Sequence, residues 1–416
     1  MRMKITLEIN IECENINLMG LINQIKGLER ECARQVINAI QEHELRRLCG
    51  ERYERTGYQR CGHRTRTLTT SIGTLELKVA RVRDKRTGRV FSPLEKVLGM
   101  PKRKIILGDV SLESIEQIHK LSYRKAVETV RQLSRSNLSK STLWRRVQEL
   151  DLGTEPRTDV DILLVDDTKV YSQEKRPFNY LQLVLGQNTE RGEYSLQFAG
   201  VNEDWSEIRK KLESRLDLSK IYVVCDSDRE INNAFQGVRG IQICHFHAVR
   251  YADYSLWTEG APKNFRKKMR GILQSRLCIL QNSVEHFWRD RDTERLTGRV
   301  EWFRQELDRW AERAEARGYS SAAGYVRRVR ESLLTFAEAA LRGDRVPYTN
   351  NREEREFREN AYRTKRIGAR WSGDGLLQVS LCQLLSRLEE GVLNKVKEVY
   401  LGERGVLSYN VGLAGV

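Results

Sequence analysis

The chain has 416 residues, 39% of them hydrophobic, which is enough apolar material for several folded cores and excludes a disordered chain. Its 73 Lys and Arg against 57 Asp and Glu leave a net charge of +16, spread along the length rather than held in one tail, so a polyanion is the expected partner. No run approaches the roughly 18 apolar residues of a membrane span, and no segment joins a basic face to a broad apolar one, which argues against a membrane and leaves nucleic acid.

The opening stretch MRMKITLEINIECENINLMG alternates apolar and polar residues and is broken by acids, unlike a secretory signal. The expected location is cytoplasmic, in association with the nucleoid. The eight cysteines, at 13, 32, 49, 61, 225, 244, 278 and 382, form no CxxC pair and no regular spacing, so reduced thiols without a disulfide frame are expected. Cys49, Cys61 and His63 come nearest to a metal cluster in this part of the chain, but their spacing fits no familiar zinc loop.

Residues 14–48 place apolar side chains at helical spacings, from Leu18, Leu21 and Ile22 to Val36, Ile37 and Ile40. The Thr-, Val- and Arg-rich stretch YQRCGHRTRTLTTSIGTLELKVARVRD then reads as a basic β-hairpin turned around Ser-Ile-Gly-Thr. Its arginines, Arg64 and Arg66 among them, either contact phosphates or belong to an exposed sheet. Three amphipathic segments follow between 109 and 150, joined by short Ser-containing turns, in the layout of a helix-turn-helix. Ser139 or Ser141 would cap the third helix. Lys140, Thr142, Arg145 and Arg146 would face outward to DNA while Leu143 and Val147 pack inward.

Beyond the linker DLGTEPRTDV the pattern turns to strands: DILLVDD, FNYLQLVLGQ and EYSLQFAGVN, then a helical WSEIRKKLESRL, the strand KIYVVCDSD, the short helix REINNAFQG and the strand GIQICHFH. A meander that passes into crossovers in this order is the succession of a ribonuclease-H-like fold. Residues 253–345 interrupt it with helical sequence. There Trp302 and Trp310 share a helical face and read as core, whereas Trp257 or Trp288 is either buried or free to stack on an unpaired base. The expected fold class is therefore α/β, a ribonuclease-H-like core with a large all-helical insertion. The expected regions are 1–50 helical, 51–108 basic and β-rich, 109–150 helix-turn-helix, 159–252 with 346–400 the core, and 253–345 the insertion.

In that strand order the first and fourth strands are neighbours, so Asp166 at the end of one can face Asp226 at the end of the other, with Asp167 and Asp228 as close alternatives. The run YTNNREEREFRENAYRTKR after the insertion supplies a third acid. By itself this run reads either as a solvated helix of i,i+4 ion pairs or as one wall of a reaction centre. Three gathered carboxylates repel by on the order of 4 kcal/mol per close pair at an effective dielectric near 20, so cations must bind. All-oxygen ligands select Mg²⁺ or Mn²⁺, and two such ions serve phosphoryl transfer.

Four motifs carry a likeness to a known family. These are VDDTKV, VVCDSDREINNAFQGVRGIQICHFHAVR, TNNREERE, and the hairpin with its Gly-x-Arg-x-Arg. In them, and over nearly its whole length, the chain resembles the DDE transposases of bacterial insertion sequences, within the Mutator-like group. The resemblance implies Asp166, Asp226 and Glu354 as catalytic and metal-holding residues with two Mg²⁺ or Mn²⁺ ions, and Cys244, His247 and Arg250 as an accessory triplet. Glu354 is chosen over Glu353 by the spacing from the asparagines. Arg358, with Arg352, Arg355, Arg363, Lys365 and Arg366, would then lie along the DNA backbone. Ala80 stands where the family pattern has proline, and Asp167 and Ser227 replace the small residue after each aspartate. The implied activity is cleavage and strand transfer of an insertion sequence. The implied partners are terminal inverted repeats and target DNA, with a homodimer or higher oligomer on DNA. A non-catalytic DNA-binding regulator or inactivated relative, and a structure-selective nuclease, are the competing readings.

Overall fold

The structure, a computed structural model, describes residues 18–51, 56–100, 121–134, 138–148, 156–173, 178–361 and 372–388, with isolated positions 110, 113, 115, 117, 118 and 370. Most of the first helix-turn-helix segment, the basic positions 363, 365 and 366, and the end of the expected core past 388 lie outside the described residues. The described residues fall into two compact units, one within 1–151 and one within 152–390. No helix among them is long and apolar enough to cross a membrane. The seven cysteines among them are free.

In the first unit, helix α1 (Leu18–Cys49) packs on a sheet of β1 (Tyr58–Thr70), β2 (Gly73–Asp84) and the short β3 (Val90–Phe91), followed by α2 (Pro93–Val97). The hairpin turns on Ser71 and Ile72, with Gly73 at φ 110°, a conformation that side chains rarely adopt. Leu68, Leu77, Val79 and Leu94 form its core, with Ile37, Ile40 and Met100 against them. β3 pairs with β2 only at Val82 and Arg83, leaving the edge of β2 open near residue 79. The buried Gln41 of α1 fills that gap. Its amide donates to the Lys78 carbonyl (3.0 Å) and accepts the Ala80 N–H (2.8 Å), standing in for the missing strand.

The two-residue period of a strand also decides the fate of two expected DNA contacts. Arg64 and Arg66 alternate with Leu68 and stand opposite Val79 and Leu77, on the packed face. Both guanidiniums close on Glu95 of α2. Glu95 is held below the ordinary carboxylate range: burial acts the other way, and the hydrogen bonds from Arg64 and Arg66 outweigh it. Arg66 keeps 10% of its side chain exposed and Arg64 55%, so Arg64 is the more accessible of the two to a phosphate.

Helices α3 (Tyr123–Ser134) and α4 (Lys140–Gln148) pack through Ala126, Val130, Leu143 and Val147. Ser139 caps α4 by accepting the Thr142 N–H at 3.1 Å. Lys140 and Arg145 are exposed and Thr142 and Arg146 half-buried, beside an exposed Trp144.

The second unit is built on a mixed sheet in the order β6-β5-β4-β7-β8, where β4 is Ile162–Tyr171, β5 Phe178–Asn188, β6 Glu193–Val201, β7 Tyr222–Cys225 and β8 Gly240–Ile243. The first three strands are antiparallel, and β4, β7 and β8 are parallel. The parallel-paired stretches 162–165 and Tyr222–Cys225 are continuously apolar and buried, as covered strands are. Helix α5 (Trp205–Glu213) leads into β7, and α6 (Arg229–Ala234) links β7 to β8.

Two sequence expectations need correction here. β4 does not end at its carboxylates but runs on to Tyr171, still paired with β5. The last strand stops at Ile243, so CHFH is not strand: α7 (His245–Thr258) starts there, and the helical body begins before residue 253. That body continues through α8 (Lys263–Asp290), α9 (Thr293–Glu315), α10 (Ser320–Val329) and α11 (Thr335–Leu341). Trp310 is buried in it and donates to the Met269 carbonyl at 2.9 Å. Trp302 is half-buried beneath Arg276 and Arg299, and Trp288 beneath Arg291 and Arg345. The chain then returns to the sheet as α12 (Asn351–Ala361) against β4 and α13 (Gly373–Leu388) against β6 and β5.

Gln41→Ala leaves the Ala80 N–H and Lys78 carbonyl without their side-chain partner. The first unit is expected to lose about 1–3 kcal/mol, read from urea unfolding of the full chain. A change below about 0.5 kcal/mol would show that the amide does not close this edge.

Candidate active site

Parallel pairing of β4 with β7 ends at Val165 opposite Cys225, so the next residues on the two strands are Asp166 and Asp226. Neighbouring strands lie about 4.8 Å apart, which places the two acids side by side. β4 remains locked to β5 through Leu183 opposite Asp166. The sheet therefore opens on one side only, and both carboxylates sit at that opening.

Backbone donors hold each acid. The Asp167 N–H donates to Asp166 Oδ1 and the Asp228 N–H to Asp226 Oδ1, both at 2.8 Å. Asp228 itself caps α6. Tyr251 of α7 donates its hydroxyl to Asp226 Oδ2 at 3.4 Å, and Tyr325 of α10 donates to the Ser227 hydroxyl at 3.0 Å. Ser227 thus anchors the strand end to the helical body.

The third acid arrives on α12, and Asn350 sets its position. The buried Asn350 amide donates to the Val165 carbonyl (3.3 Å) and to Glu353 Oε2 (2.7 Å), and its N–H points to Cys244 Sγ (3.5 Å). One side chain thus ties the start of α12 to the strand residue just before Asp166. From there Glu354 faces the cleft, with Oε1 at 3.4 Å from His247 Nε2, while Glu353 lies fully buried beneath it. Glu353 is a residue that motif matching set aside, and its signal in the sequence was the three-residue spacing from Asn350.

Cys244, His247 and Arg250 end up in different settings. Cys244 is buried at the start of α7, and burial pushes its thiol up. His247 and Arg250 line the cleft. Cys244 Sγ, a His247 ring nitrogen and a Glu354 oxygen lie within 4.8 Å of one another. His245 takes no part: its Nε2–H meets the Leu333 carbonyl at 3.0 Å and its Nδ1 meets the Gln281 amide at 2.8 Å. Burial pushes it down to about 4, so it is a neutral strut.

The resulting cleft, of about 680 Å³, is lined by Asp166, Asp167, Asp226 and Glu354, with Lys169, Arg250 and Arg358 among the cations around it. Burial and then the Asp226 charge push Asp166 well above the ordinary carboxylate range. Asp167 is pushed up to about 6 by the same two causes, and Asp226 is raised by burial. Glu353 is raised by burial and then by Asp166. Arg250 and Arg358 make no ion pair among the described residues, which leaves both available to an anion. One oxygen each of Glu353 and Glu354 is buried without a hydrogen-bond partner. The cleft thus gathers buried carboxylates on its floor and cations at its edge.

Residues 12–171 match an uncharacterised protein family (UPF0236), a stretch that contains Asp166 but ends before Asp226 and Glu354. No curated protein matches the chain.

The raised carboxylates make stability depend on pH. An acid whose pKa is raised by folding favours the folded state below its unfolded value near 4, and that contribution disappears as pH rises through the folded value, about 6 for Asp167. In EDTA the second unit should lose stability between pH 4 and 7. Asp167→Asn keeps an acceptor for Trp205 and should be the more stable protein at pH 7.5, by on the order of 2 kcal/mol, with the gap closing toward pH 4. Thermal melts across that range check it, and parallel curves for the two proteins would refute it.

Proposed function

We propose that the chain is a Mg²⁺- or Mn²⁺-dependent DDE transposase of the Mutator-like group that cleaves the ends of an insertion sequence and joins them to target DNA. The single observation that carries this reading is the meeting of Asp166, Asp226 and Glu354 at one cleft. They come from two neighbouring parallel strands and a returning helix, far apart in sequence. The sheet order, a three-stranded meander with two parallel strands added on the β4 side, supports a ribonuclease-H-like core.

The donor set suits hard cations. Asp166, Asp226 and Glu354 would hold two such ions, which would supply charge neutralisation at the phosphodiester and activation of a water or 3′-hydroxyl. The chain's own part is positioning. The Asp167 and Asp228 N–H groups and Tyr251 orient the aspartates, and Asn350 fixes the height of α12. His247 orients Glu354, and Lys169, Arg250 and Arg358 neutralise phosphates on either side of the cut. Cys244 packs behind them as a buried thiol. Lys140, Thr142, Arg145 and Arg146 on α4 contact the terminal repeats, and Arg64 adds a backbone contact.

Two experiments test this reading. Incubation with Mg²⁺ and a supercoiled plasmid carrying the chain's own coding segment with its flanks should give cut ends and joined strands. Asp166→Asn should give neither, and equal products from both proteins would remove the assignment, as would cut ends alone in favour of a nuclease. Asn350→Ala, which frees α12 without removing a ligand, should lower the rate roughly 10–100-fold. Separately, Lys140→Ala with Arg145→Ala should weaken DNA binding and reduce the slope of log affinity against log salt by about 2, measured by fluorescence anisotropy. An unchanged slope would remove α4 from the DNA path.

A further inference from the structure

We propose that α7 carries a stacking track for an unpaired nucleic-acid strand, formed by Phe246, Tyr254 and Trp257 around Arg250, which delivers that strand to the carboxylate cleft. The occupant rests on the nucleic-acid reading of the cleft. The track itself rests on different residues.

Large apolar side chains exposed among the described residues are few, and α7 alone holds four of them: Phe246, Tyr251, Tyr254 and Trp257. At about 100° per residue, positions 246, 250, 254 and 257 fall within an arc of about 80°, so three rings and one guanidinium form a single stripe. The stripe runs roughly 16 Å along the helix, about the length of five stacked nucleotides of a strand. Phe246, Arg250 and Tyr254 also line the carboxylate cleft, and Trp257 continues the row, its ring 5.6 Å from that of Tyr254 at 39°. Tyr251 leaves the row on the cleft side, where its hydroxyl meets Asp226.

The chemistry of the stripe selects its occupant. Exposed aliphatic side chains, which a protein interface would use, are absent from it among the described residues, and its rings are separated by an arginine that makes no ion pair there. Aromatic faces interleaved with free cations suit bases and phosphates of one strand together. In a duplex the base faces are already stacked on one another, so the track favours unpaired DNA. A second hollow, of about 470 Å³, shares Phe246 and Arg250 with the cleft and adds Arg270, Gln274 and Gln281, polar groups able to meet a base edge. Arg270 there lies 3.9 Å from Asp253. Trp288, the other candidate raised by the sequence, is covered by Arg291 and Arg345.

The test reads binding alone, with the full chain in EDTA so that nothing is cut. Anisotropy of a fluorescein-labelled thymidine 15-mer and of a duplex of equal length is measured for wild type, Tyr254→Ala/Trp257→Ala and Tyr254→Phe/Trp257→Phe. The alanine pair should weaken single-strand binding about 10–100-fold and leave duplex binding within about twofold, while the phenylalanine pair stays near wild type. Equal losses on both DNAs, or no loss on the single strand, would overturn the proposal. So would a change in elution volume of the alanine pair with single-strand binding intact, since that would mark an interface between copies. Loss of cleavage activity in the metal-dependent assay leaves this result untouched, whereas failure to bind either DNA would overturn both readings.

Discussion

The second unit is organised around the burial of like charges. Asp166, Asp167, Asp226 and Glu353 are all driven upward in pKa, mainly by burial and in several cases by one another. Burying acids without a counter-charge works against folding, and the surroundings limit that cost in specific ways. Two backbone N–H groups, one tyrosine hydroxyl and the Asn350 amide meet the carboxylate oxygens, and cations gather at the edge of the cleft rather than on its floor.

Helix α12 shows how one charged segment can be both a solvated face and a wall of a site. Glu353, Glu356 and Phe357 are buried, Glu354 and the exposed Arg358 line the cleft, and Arg355 is exposed. Glu356 is gripped by Arg387 of α13 at 2.7 Å and approached by Arg352 at 3.6 Å. The mixed charges thus divide by face, and the i,i+4 pattern visible in the sequence describes only part of them.

The helical body supports the same opening from behind. His245 ties the start of α7 to Leu333 and Gln281, and Tyr325 ties the end of β7 to α10. α7 is thereby held with Tyr251 on Asp226 and its exposed aromatic stripe along the cleft. The helical segment between Asp226 and Glu354 therefore does more than separate them in sequence. It mounts the helix that completes the cleft.

Periodicity told where α1, the hairpin and α4 lie, and continuous apolar runs told where the central strands lie, because those patterns are local consequences of a helical repeat, a pleat or burial on both faces. The likeness of the element order to a ribonuclease-H-like succession put β4 beside β7, and the pairing of the two strands agrees with it. The limits of that reading are equally physical. CHFH has the apolar and aromatic content of a strand, and only the end of pairing with β7 turns it into the start of a helix. Arg64 and Arg66 look like free cations until the packed side of the hairpin meets Glu95, and adjacent Glu353 and Glu354 separate into buried and cleft-facing residues only when Asn350 fixes the rotation of α12 against β4. The sequence by itself determined the kinds of side chain and their period along each element. Which of them meet, and which are shut away from water, was decided by tertiary structure, because burial and charge coupling depend on distances between segments that no local pattern encodes.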